Sequence, residues 1–179
     1  MPGNREDSAR ALDGPQGIGG WLILPAIGLC VFPISCVISI LDDYVPIFQS
    51  GTWAAVTTPG APGYHALWAP LLIGEIAFNL VFLALDLWLL VLLFSKSWRF
   101  PKVFVAFAAL IVLFIVLDAV VAGSIASSTG TTGANRMAGA IVRALVVAAI
   151  WVPYMLVSKR VKNTFVKPAG AWPPAVKVN

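Results

Sequence analysis

Glu75, Asn79 and Asp86 stand inside an almost wholly apolar run, Trp68 to Phe94. At about 100° per residue, the eleven steps from Glu75 to Asp86 close to within roughly 20°, so the three lie near one helical face. Asp118 and Arg143 stand in two further apolar runs. A carboxyl group in hydrocarbon can hold or pass a proton, pair with a cation, or accept a hydrogen bond. Left alone it costs about 2.5–3.5 kcal/mol on insertion scales. These residues therefore need one another, and the apolar runs must bring them together.

At about 1.5 Å per residue, Glu75 lies roughly 10 Å below the outer end of its span, Asp118 roughly 8 Å and Arg143 roughly 9 Å. That predicts an outer polar layer of Glu75, Asp118 and Arg143. Arg143 and Tyr154 repeat the eleven-residue spacing, which predicts an inner layer of Asp86 and Tyr154 with Trp151 close by. Arg143 is expected to pair with one outer carboxylate, Glu75 first, which removes the worst desolvation cost. Three acids then face one base. Each remaining acid carries a proton, reaches water or meets a partner chain, and Asp86 is expected to be hydrogen-bonded. One reading is an ion network that locks helix packing. The other is a proton or ion relay, because ionisable residues inside membranes often mark pathways.

Four spans supply the frame, at about 19–41, 68–94, 103–123 and 137–157. Residues 1–18 read as a cytoplasmic tail and 158–179 as a basic cytoplasmic tail. In the first span Pro25 and Pro33 predict kinks. The linker 42–67, rich in proline and glycine, reads as irregular and wet. Trp21, Trp68, Trp151 and Arg160 suit the membrane boundaries. Ala140, Ala144 and Ala148 form a small-residue stripe on the fourth span, and Ala119 with Gly123 a shorter one on the third. The two tails and the 95–102 turn hold ten of the twelve lysines and arginines, and the other two linkers hold only Arg136. That asymmetry predicts both termini on the cytoplasmic side.

Composition narrows the class. Among 179 residues, 59% are apolar and 11% charged, more apolar surface than a short soluble fold can hide. The net charge of +4 does not point to nucleic acid, because the positive residues flank apolar runs. Cys30 and Cys36 are six residues apart, about 9 Å along a helix, too far to bridge each other. His65 is the only histidine and stands in a linker, so no metal site is expected. No phosphate loop, G-x-S-x-G or Ser/His/Asp set is present, so no cofactor and no enzymatic activity are expected.

Certain stretches carry a family likeness. Gly17-Ile18-Gly19-Gly20-Trp21-Leu22 opens the first span, Glu75 and Asn79 sit in the second, and Phe100-Pro101 starts the third. Trp151, Pro153 and Tyr154 close the fourth, followed by Ser158-Lys159-Arg160-Val161-Lys162 and Thr164-Phe165. This pattern, over roughly residues 17–165, resembles a bacterial family of small four-span inner-membrane proteins catalogued as domain of unknown function 2569. The resemblance implies a four-helix topology and a bacterial plasma membrane, and no activity.

The expectation is an all-α membrane protein, four transmembrane helices in a bundle. It is expected to contact lipid and to serve as an accessory or assembly subunit of a larger membrane complex. The alternative is a small proton-coupled transporter or channel using the intramembrane carboxylates.

Overall fold

In hydrocarbon a backbone must satisfy its own N–H and C=O groups, and long apolar runs with few breakers do so as helices. The computed structural model describes Gly14, residues 16–129 and residues 134–166, without the side chains of residues 128–129 and 134–137. Most of the two expected tails, and residues 130–133 of the third linker, lie outside the described residues.

Among the described residues six helices follow in order: α1 (Gly20–Gln49), α2 (Thr52–Thr57), α3 (Trp68–Phe94), α4 (Phe100–Thr129), α5 (Ala134–Val157) and α6 (Lys159–Thr164). Four of these, α1, α3, α4 and α5, are long and apolar enough to cross a membrane. At about 1.5 Å per residue, the 27 residues of α3 reach about 40 Å, more than the hydrocarbon thickness.

The first span does not stop at Leu41. The helix widens to a π turn over Ile40–Tyr44 and resumes at Val45–Gln49. Pro46 explains the widening: its ring would clash with the carbonyl four residues back, that of Asp42. Asp42, Asp43 and Tyr44 are thus on a helix, where an irregular linker was expected. Gly51, at φ +78°, then turns the chain into α2. The third and fourth spans also start earlier or end later than their apolar cores suggest, because polar Ser, Thr and Asn continue the helical hydrogen bonding at their ends.

The helices pack in the order α1, α3, α4, α5, with α4 against α5 the most extensive contact. Among the described residues, α1 and α5 are not packed extensively against each other. A gap therefore runs between them.

The densest packing lies at the end of the bundle where Gly17 and Thr164 meet, the terminal end of the described residues. Leu22, Leu89, Leu93, Phe100, Met155 and Val161 are all buried there. Phe165 stacks on Phe100 at 4.7 Å between ring centroids. The Ser158 hydroxyl accepts from the Val161 N–H and starts α6. Thr164 Oγ1 donates to the Arg160 carbonyl at 2.7 Å and lies 3.4 Å from the Gly17 carbonyl, which sets α6 against the start of the first span. Gly20 sits at φ +55° beside the Arg160 guanidinium, where a Cβ would find room but the left-handed backbone would be strained.

Candidate functional site

The stripe on α3 is real, and it is longer than its polar members. Glu75, Asn79, Phe82 and Asp86 follow one another at four-, three- and four-residue steps, one helical face. Phe82 and Asp86 on that face are buried. What surrounds them differs from the two-layer arrangement the sequence predicts.

Towards the end away from the termini, α3 meets α1 and α4. Asn79 Nδ2 donates to the Tyr44 hydroxyl at 3.4 Å and to the Glu75 backbone carbonyl at 3.0 Å. Glu75 is within hydrogen-bonding reach of Asp118 and of Tyr44, and Asp43 lies close enough to interact with it. Asp118 Oδ1 is buried with no partner. Glu75 and Asp118 also line a cavity of about 240 Å³ between α3 and α4. Glu75 and Asp118 thus meet as expected. Arg143 is absent from the group.

Tyr44 was not singled out in the sequence. Asp42, Asp43 and Pro46 around it look like the end of a span. The signal that survives is the return of apolar residues at Val45, Ile47 and Phe48.

Asp86 stands in a different place. It has no exposed surface, and neither of its oxygens has a hydrogen-bond partner. This corrects the expectation that it would be bonded. It lines a cavity of about 490 Å³ in the gap between α1 and α5. The walls are Leu24 to Phe32 on α1, Phe104 to Ile115 on α4, and Ala140 to Trp151 on α5. Cys36 lies close enough to interact with Asp86 electrostatically.

Arg143 lines this same cavity. The expected pairing of Arg143 with Glu75 therefore fails. The expectation rested on depth along each span, but α5 packs on the far side of α4 from α3, and α4 stands between the two groups. Arg143 is exposed and leaves both Asp86 oxygens unbonded.

Tyr154 does not share a layer with Asp86 either. It packs edge-on against Trp151 at 5.8 Å, within the buried cluster at the terminal end. Trp151, expected as a boundary anchor, is half-buried and faces the cavity. Trp21 is 70% exposed, as a boundary residue should be. Trp68 starts α3, its N–H donating to the His65 carbonyl. Arg160 lies against Gly19 and Gly20.

A plug of phenylalanines separates the two polar centres. Phe82 contacts Phe78, Phe107 and Phe114 at 5.9, 5.9 and 5.7 Å between centroids. Phe78 and Phe114 lie 4.3 Å apart, and Phe32 meets Phe107 at 5.8 Å. No group of three His, Cys, Asp or Glu side chains suited to a metal ion is found among the described residues.

A family model described as a protein of unknown function, DUF2569, matches residues 15–166. The chain belongs to the DUF2569 family. No curated protein and no solved structure matches it. In this DUF2569 chain the two stretches that bound the matched region meet in space, through Gly17 with Thr164 and Gly20 with Arg160. Those ends build the packed base of the bundle. The polar chemistry lies above it, in the two centres on α3.

Proposed function

We propose that this DUF2569 protein is a small, non-enzymatic, proton-coupled transporter of the bacterial inner membrane, with both termini cytoplasmic. One observation carries the reading: Asp86 is fully buried and unpartnered in the wall of a cavity. Burying a polar group without a hydrogen bond costs about 1–3 kcal/mol by mutational measures. A fold that needed only stability would place an apolar residue there. Glu75, Asp118 and Tyr44 form the second centre, where three proton-bearing groups lie within reach of one another. The phenylalanine plug between the centres gives the barrier that a transporter, unlike an open channel, needs. Lys96, Arg99, Lys102, Lys159, Arg160 and Lys162 gather near the end that holds the termini, which supports a cytoplasmic assignment.

Reconstitution into vesicles with an entrapped pH dye tests this. Solute-dependent proton movement is expected with the wild type across a solute panel, and its loss in Glu75→Gln. Wild-type vesicles indistinguishable from empty ones on every solute would retire the proposal.

A second reading is supported by the stripe Ala140, Ala144 and Ala148, all three of which line the gap between α1 and α5. Small residues let a neighbouring helix approach closely. In that reading the chain is an accessory subunit, and a partner helix fills the gap. Gentle extraction followed by native mass spectrometry should then show a stoichiometric partner, and free protein alone would count against it.

A further inference from the structure

The cavity that holds Asp86 carries a chemical signature of its own. At about 490 Å³ it falls within the range of small-molecule sites, which are mostly apolar with a few placed polar groups. Its one acid is Asp86, both of whose oxygens are unbonded and covered, so a ligand nitrogen reaches them only when a neighbouring wall side chain changes rotamer. Its aromatic members are Phe32, Phe104, Phe107 and Trp151. Aromatic faces attract cations through the ring quadrupole, most strongly where water is excluded. Two acceptor oxygens, the negative charge they carry once the proton leaves, and aromatic walls together suit an ammonium ion that carries N–H donors.

Arg143 sets the other limit. Asp86 is eight residues from Phe94 and Arg143 fourteen from Val157, about 12 and 21 Å from the terminal end of the bundle. The Arg143 backbone therefore stands about 9 Å further along the slot. The Arg143 guanidinium repels a second positive charge there and tolerates an uncharged tail. An acyl chain or a bare apolar side chain would fill the space and leave the carboxyl oxygens unbonded.

We infer that this cavity binds a hydrophobic monoamine, its protonated nitrogen on Asp86 and its apolar body among Phe32, Phe104, Phe107 and Trp151. This names the substrate class of the proposed transporter and rests on that reading. A proton and an ammonium ion compete for the same two oxygens, so a protonated Asp86 releases one proton for each monoamine cation it takes up.

The test is equilibrium binding to the full chain in lipid nanodiscs, with empty discs as the blank. The probes are 2-(1-naphthyl)ethylamine, the alcohol of the same skeleton, and decylamine against 1,10-decanediamine as competitors. Saturable binding of the naphthyl amine is expected, at least tenfold tighter than the alcohol. Asp86→Asn should weaken the amine at least tenfold, and Asp86→Glu should keep the preference for amine over alcohol. Decylamine should compete better than the diamine, and Arg143→Gln should narrow that difference. Equal binding of amine and alcohol, or amine binding untouched by Asp86→Asn, would overturn the inference and leave an apolar slot for a lipid chain or a partner helix. Saturable amine binding without proton movement in vesicles would retire the transport reading alone. Proton movement driven by other solutes, with no saturable amine binding, would overturn this inference alone.

Discussion

Asn79 is the small residue that ties the polar chemistry of two helices together. Its amide bonds both Tyr44 on α1 and the backbone of Glu75 on α3. Asn79→Leu is expected to cost about 1 kcal/mol, the net worth of an ordinary hydrogen bond, read from reversible unfolding in detergent. The two carboxyls beside it make a sharper test. Glu75 and Asp118 share a contact, so their Leu substitutions should couple by about 0.5–3 kcal/mol in a double-mutant cycle. Glu75 and Arg143 share none, so Glu75→Leu and Arg143→Leu should add within about 0.5 kcal/mol. Equal coupling in both cycles would contradict the placement of Arg143.

At the scale of elements, the phenylalanine plug and the glycine at the start of α1 do different work. Phe82 is 93% buried by its 7% exposure, and it is the ring that touches three others. Phe82→Ala should destabilise by about 3–5 kcal/mol and raise substrate-independent proton leak in vesicles, because it removes the barrier between the two centres. Gly20→Ala forces a side chain into the left-handed region and should cost about 1–2 kcal/mol without changing leak. The four spans and the α3 stripe were legible in the sequence, because apolar length and a 3.6-residue period are local properties. The partners of Arg143 were not. A sequence gives the height of a residue in its span, whereas which helices become neighbours depends on non-local packing. Tyr44 was missed for a related reason: Pro46 reads as a terminator, and the π turn that absorbs it is a local repair with no sequence period.

The whole molecule divides its labour along its length. One end is a packed base, where α6 and the residues before α1 close over Leu22, Phe100 and Val161. The other holds the Tyr44, Glu75, Asn79 and Asp118 group. Between them, α1 and α5 stand apart, and the gap receives Asp86. On this account Asp86 serves a ligand at the expense of stability, whereas a structural ion network would make it indispensable to folding. The thermal unfolding midpoint of Asp86→Leu in detergent separates the two. A midpoint at or above that of the wild type is predicted, because an unpartnered buried carboxyl is replaced by an apolar side chain of the same branching, whose extra volume the adjoining cavity takes up. A midpoint lowered by several degrees would show that Asp86 holds the bundle together, and would contradict the account.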